Sequence, residues 1–164
     1  MAIPSQERKI KDFFENSCFC CINTCGGSMN FTHKEIGYLA GFVDGEGSFI
    51  VSKREHIGYK GKRYVGYSYF LDIGNTNKQV LEWIKEKVGV TSAIYENPQK
   101  GNRKTAYRLR ICYKQAKPLT KVIMDCLIIK RRNAEVFLQC DENPDKEALF
   151  NEMKVLNFRG IAKV

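Results

Sequence analysis

The chain has 164 residues, 43% of them hydrophobic, which is enough for one domain with a core of its own. Its net charge is +9, and no apolar run reaches the roughly 18 residues that a membrane-spanning helix needs. No charged, apolar and small-residue series resembles a secretion signal, so a chain that is not secreted is expected.

Residues 1–28 read as an N-terminal extension, with Gly26-Gly27-Ser28 as a flexible join to a single domain over 29–164. The extension carries Cys18, Cys20, Cys21 and Cys25. Zinc sites pair two separated chelating halves, and this cluster has no second half, although His33 is nearby. A structural metal and a disulfide remain alternatives to reduced thiols, the default reading. Cys112, Cys126 and Cys140 sit in apolar patterns and read as core or near-core.

The first helix is well marked. Thr32 and Glu35 form a capping box, and Phe31 and Ile36 take the flanking positions of a hydrophobic staple. The helix is expected to begin near His33 and end near Gly45. Within it Gly37, Gly41 and Gly45 recur every four residues and form one narrow stripe. Glycine costs about 1 kcal/mol relative to alanine inside a helix, so three on one face suggest a second backbone close by. A helix fraying into a Gly-rich turn is the alternative. Two carboxylates, Asp44 and Glu46, close the run, with Glu46 expected just beyond the helix end. Exposed carbonyls and the negative dipole end gather there, which is unfavourable for a carboxylate. A divalent cation reverses that, because carboxylate and carbonyl oxygens are the ligands Mg²⁺ prefers.

Beyond Gly47 the period changes from helical to alternating. Phe49 and Val51 alternate with Ile50, Ser52 and Arg54, and Gly58 to Arg63 read as a turn. In the second strand Tyr67, Tyr69, Leu71 and Ile73 share one face, with Gly66, Ser68, Phe70 and Asp72 on the other. Thr76 and Gln79 suggest a second capping box, opening a helix that buries Val80, Leu81, Ile84 and Val88 and stops at Gly89. A third strand is expected near Ser92 to Asn97, then a polar loop from Pro98 to Lys104. The fourth alternates Tyr107, Leu109, Ile111 and Tyr113 inward with Arg108, Arg110, Cys112 and Lys114 outward. Three helical segments follow: after Pro118, from about Lys130, and after Asn143-Pro144, where Pro144 suits a first helical position. The fold class is therefore α+β, in the order αββαββα with extra C-terminal helices.

Charge is unevenly spread. From Ser48 to Arg132 there are 19 basic and 6 acidic residues, a net +13, while the segment after it is net −2. A basic middle with alternating strands suggests a polyanion-binding surface, against the alternative of an ordinary polar solvent face. A two-stranded ribbon fits the major groove of DNA, and arginine pairs with guanine at about 1–3 kcal/mol per bidentate contact. Ser52, Arg54, Ser68, Asp72, Arg108 and Arg110 form the expected reading face, with Arg131 and Arg132 as further DNA contacts.

The string Leu39-Ala40-Gly41-Phe42-Val43-Asp44-Gly45-Glu46-Gly47 resembles the signature of the LAGLIDADG homing endonucleases. The resemblance covers roughly Thr32 to Gly160 and leaves the first thirty or so residues outside. It implies a saddle-shaped antiparallel sheet beneath helices. It also implies a metal-dependent endonuclease that makes double-strand breaks with short 3′ overhangs. By resemblance Glu46 is the metal ligand, assisted by the Gly45 carbonyl, with Mg²⁺ or another divalent cation such as Mn²⁺ as cofactor. The family pattern has room for either acid at that position. Lys130 is the match for a basic residue near the scissile phosphate. Asn75 matches a polar residue that organises active-site water. Asp44 is the more structural acid.

Only one copy of the motif is present. Single-motif members of the family act as homodimers, so Gly37, Gly41, Gly45 and Asp44 are the expected dimer interface, and the target a palindromic or near-palindromic double-stranded DNA. Alternatives are an intron RNA maturase on the same fold, a non-catalytic DNA-binding regulator, and a small zinc protein, the last disfavoured by the ligand count. A cytoplasmic, nucleoid or organellar location, wherever the host intron resides, follows from the resemblance.

Overall fold

The computed structural model describes residues 22–24, 27–57, 61–99, 101 and 104–158. Cys18, Cys20, Cys21 and Cys25 lie outside these residues. Two short strands come first, β1 (Ile22–Thr24) and β2 (Gly27–Met29), paired antiparallel. Gly27 and Ser28 are thus ladder residues and not the expected flexible join, because strand pairing uses backbone groups that glycine also carries.

The domain follows as α1 (His33–Glu46), β3 (Gly47–Ile57), β4 (Arg63–Asn75), α2 (Lys78–Val88), β5 (Ile94–Asn97), β6 (Ala106–Cys112), α3 (Tyr113–Ile123), a 3₁₀ turn (Met124–Cys126), α4 (Arg131–Leu138) and α5 (Lys146–Leu156). The four long strands form one antiparallel sheet in the order β3-β4-β6-β5. This is the expected α+β architecture.

The sheet alternates as the period-2 pattern requires. Phe49, Leu71, Ile73, Leu109 and Ile111 lie on one face and are fully buried. Helical side chains close over them: Leu39 and Val43 of α1, Leu81 and Ile84 of α2, Leu119 and Ile123 of α3, and Phe137 of α4. The Phe49 and Phe137 rings meet at 5.2 Å between centroids. Burying each such side chain contributes about 1.5–3 kcal/mol, so the helical layer fixes which face of the sheet remains outside.

Several boundaries differ from the sequence reading. The second capping box does not form: Asn77 caps α2, its Oδ1 accepting the Gln79 N–H at 3.0 Å, and Asn is the stronger N-cap. Gly89 ends that helix at φ 70°, the left-handed conformation that glycine permits. Tyr113 is not the last strand residue but the first of α3, where its hydroxyl donates to Asp141 Oδ1 at 2.6 Å, and Lys114 leaves the strand face with it. Pro118 lies inside α3, buried, and the helix does not begin after it. Asp145, not Asn143, caps α5, accepting the Ala148 N–H at 2.9 Å. Cys112 and Cys126 are exposed, against expectation; Cys140 is buried, and burial pushes its thiol up to about 12. In the hairpin between β3 and β4, residues 58–60 lie outside the described set, and Gly61 takes φ 74°.

Candidate active site and nucleic-acid interface

The site is built at the junction of α1 and β3. The N-terminus of α1 carries the complete capping box: Thr32 Oγ1 accepts the Glu35 N–H at 3.3 Å, and Glu35 Oε2 accepts the Thr32 N–H at 2.8 Å. Lys87 of α2 adds an ion pair to Glu35 at 2.7 Å, and with the Thr32 contacts it holds that carboxyl down at about 2.

At its other end α1 runs into β3 with no linker. Gly47 makes the joint: its N–H donates to the Val43 carbonyl, and a Cβ there would sit 2.8 Å from that oxygen. Glu46 is therefore the last helical residue, not one beyond the end, and its side chain is exposed.

Asp44 is bound to the segment before α4. Its Oδ2 accepts the Ile128 N–H at 2.7 Å and the Ile129 N–H at 3.2 Å; its Oδ1 accepts the Lys130 N–H at 2.9 Å. Partial burial pushes its pKa up, but these three amides and the Lys130 charge outweigh it and hold the group below the ordinary aspartate value. The Lys130 ammonium donates to the carbonyls of Val43, at 3.0 Å, and of Asp44. The C-terminal dipole end of α1 thus receives a cation from the protein itself. Sequence reasoning asked for positive charge here and did not see that Lys130 supplies some of it.

Glu46 opens onto a cleft of about 300 Å³, lined also by Gly74, Asn75, Thr76, Asn97, Ala106, Tyr107 and Arg108. Asn75 thus shares a cleft with Glu46, while its Oδ1 accepts the Asn77 N–H at 2.8 Å. Thr76, Asn97 and Tyr107 entered the sequence reading as a cap, a strand end and a core-facing strand residue, not as site residues; the fold brings them to the cleft, which no local pattern displays.

The outer sheet face carries the expected polar row. Ser52 stands opposite Ser68, Arg54 opposite Gly66, Asp72 opposite Arg110 and Arg108 opposite Gly74. Asp72 differs from the expected free reading group. It is 7% exposed and engaged by Arg110 through Nε at 2.8 Å and a second nitrogen at 2.9 Å. The Arg110 guanidinium also lies over the Phe70 ring, 3.9 Å from its centroid. Arg131 and Arg132 are carried on α4 and not on this sheet face: Arg131 meets Asp125 at 3.6 Å and Glu135 at 3.7 Å, and Arg132 meets Glu152 at 2.6 Å and Glu135 at 3.1 Å. Gly37, Gly41 and Gly45 are exposed, and a Cβ on any of them meets nothing within 4 Å.

Among the described residues no group of three or more His, Cys, Asp or Glu side chains could hold a metal ion. One carboxylate beside helix-end carbonyls suits a cation that keeps several waters and takes its remaining oxygens from phosphate, which is the habit of Mg²⁺. The donor set at Glu46 and Gly45 fits such an ion.

The chain is a four-stranded antiparallel sheet under one helical layer, with the motif helix running straight into its first strand. Similar solved structures include an archaeal intron-encoded homing endonuclease, I-Vdi141I, complexed with DNA (23% identity, 80% of this chain and 89% of that one, TM-score 0.59). I-CvuI in complex with the I-CreI target is also similar (19% identity, 80% and 86%, TM-score 0.57). So is I-LtrWI bound to target DNA (21% identity, 78% and 46%, TM-score 0.58). No curated relative matches the chain. The LAGLIDADG endonuclease model matches residues 39–141, and the chain belongs to that family.

Proposed function

We propose that this protein is a metal-dependent, sequence-specific homing endonuclease that makes double-strand breaks as a homodimer at a palindromic or near-palindromic DNA site. The carrying observation is the exposed Glu46 carboxylate at the α1–β3 joint, opening with Asn75 onto one cleft beside a basic sheet face. The DNA complexes of the structural relatives support the choice of substrate.

In this reading Glu46 and the Gly45 carbonyl hold a divalent cation, with Mg²⁺ the choice and Mn²⁺ a substitute. The bound ion polarises the phosphate and lowers the pKa of water. Asn75 orients water within the cleft. Lys130, with Asp44, fixes the helix end that presents Glu46 and brings positive charge beside the phosphate. Ser52, Arg54, Ser68 and Arg110 face the bases from the sheet. The open glycine stripe of α1 meets the same stripe of a second copy, so that two Glu46 carboxylates serve two DNA strands.

The test is cleavage of DNA carrying the uninterrupted insertion site, with Mg²⁺ and with the metal chelated. Glu46→Gln keeps the side-chain size, removes the charge, and is expected to abolish cleavage while DNA binding persists. Cleavage by that variant at the wild-type rate overturns the assignment.

A further inference from the structure

Arg108 and Arg110 leave the same strand on the same face, yet the structure treats them differently. Arg110 is committed: two bonds to Asp72 and the Phe70 ring beneath fix its guanidinium. Arg108 touches Asp72 only at 3.9 Å, its side chain is 54% exposed, and it lines the same cleft as Glu46.

Strand register shows how this comes about. Gly47 pairs with Ile73 and Gly74 with Arg108, so the helix end that carries Glu46 meets the sheet one ladder step from the Gly74–Arg108 pair. Gly74 and Arg108 face each other on adjacent strands, and Glu46, at the end of α1, lines the same cleft as both. Gly74 has no side chain, and a Cβ there would meet only the Tyr107 carbonyl, at 3.7 Å. The cleft therefore holds a carboxylate and a guanidinium with a side-chain-free glycine among its lining residues. Asn75, Thr76 and Asn97 wall it. A phosphate in that cleft would meet the acid that would hold the cation and the planar donor fork of Arg108.

Building on the endonuclease reading, we propose that Arg108 is a catalytic residue whose guanidinium contacts the scissile phosphate in the cleft onto which Glu46 opens, and is not a base-reading residue. In the step it serves, a water oxygen bonds to phosphorus as the bond from phosphorus to the leaving sugar oxygen breaks. The water gives up a proton and the leaving oxygen takes one. No electron is transferred. Charge on the non-bridging oxygens grows, and a guanidinium matches two of them with parallel N–H donors. Arg110, oriented by Asp72 and Phe70, remains the base reader of the pair.

The experiment uses the full chain and DNA that the wild type cleaves with Mg²⁺. Single-turnover cleavage at saturating protein, Kd without divalent metal, and the site-preference profile on randomised DNA are measured for Arg108→Ala, Arg108→Lys and Arg110→Ala. Arg108→Ala is expected to slow cleavage by about 100- to 1000-fold, as losing one preorganised donor does, with Kd within a few-fold and the profile unchanged. Arg108→Lys recovers part of the rate, and added guanidinium ion partly rescues Arg108→Ala. Arg110→Ala shifts the profile at one position per half-site. A changed profile, or equal losses in rate and affinity, for Arg108→Ala overturns the proposal and leaves the endonuclease reading intact. A wild type that cleaves no DNA while Glu46→Gln behaves identically overturns both.

Discussion

Asp44 and Lys130 hold each other twice, in opposite senses. The Asp44 carboxylate accepts the Lys130 backbone N–H, and the Lys130 ammonium donates to the Asp44 backbone carbonyl. Each side chain serves the other's main chain, so the helix end and the segment before α4 are placed as one unit.

Asp44→Ala removes the acceptor for three amides and leaves the ammonium without its neighbouring charge. Hydrogen bonds to a charged group contribute about 1.5–3 kcal/mol, and a loss of that size is expected in urea unfolding. An unchanged midpoint shows that water replaces the carboxylate without cost and that the clamp is not structural.

Gly47→Ala tests the joint itself. Its methyl meets the Val43 carbonyl at 2.8 Å, an atom of backbone that cannot swing aside. Destabilisation of about 1–3 kcal/mol is expected, as for overpacked sites. Thermal unfolding decides it, and native stability means that the helix–strand corner yields.

Gly41→Leu separates fold from assembly. Nothing lies within 4 Å of the added Cβ in one chain, and leucine is the better helix former by about 0.8 kcal/mol. The chain is expected to keep or gain stability, while sedimentation is expected to show loss of the proposed dimer. A leucine variant that sediments as the wild type does rules this face out as the interface.

Acid is expected to loosen the fold through carboxylates held low. Glu35 and Asp141 lie at about 2, through Lys87 and Lys117 respectively, and Asp44 and Glu147 are also lowered. The unfolded chain therefore binds protons first as pH falls. The stability these groups contribute is complete above the ordinary carboxylate range and is lost as pH drops from there towards about 2. Lys87→Met takes away the main cause of the Glu35 shift, so its unfolding midpoint should depend less on pH; an identical pH curve contradicts the linkage.

What the sequence displayed and what it hid follow from distance along the chain. Thr32, Glu35 and Gly89 act on backbone groups a turn away, so a local pattern reveals them. The alternation around Leu71 and Leu109 likewise shows which sheet face is buried. Asn77 was missed because two cap candidates stood side by side and only geometry chose between them. Pro118 misled because proline is disfavoured inside helices, whereas burial against the core overrides that preference here. Lys130 reaches carbonyls 86 and 87 positions earlier, and Arg110 reaches an acid 38 positions away. Such partners emerge only when strands pair and helices stack.

The absence of any loop between α1 and β3 has a consequence for how targets change. Glu46 has no hinge of its own: it is set by a packed helix behind it and a paired strand ahead. The outward positions further along that ribbon, Ser52, Arg54 and Ser68, are held by the β3–β4 ladder, and their side chains leave the face turned away from the helices. On the proposed endonuclease reading, exchanging them is expected to alter which sequence is engaged without moving the carboxylate. On that reading, retargeting and cutting are mechanically decoupled, and a lineage of such enzymes can move from one insertion site to another at constant chemistry.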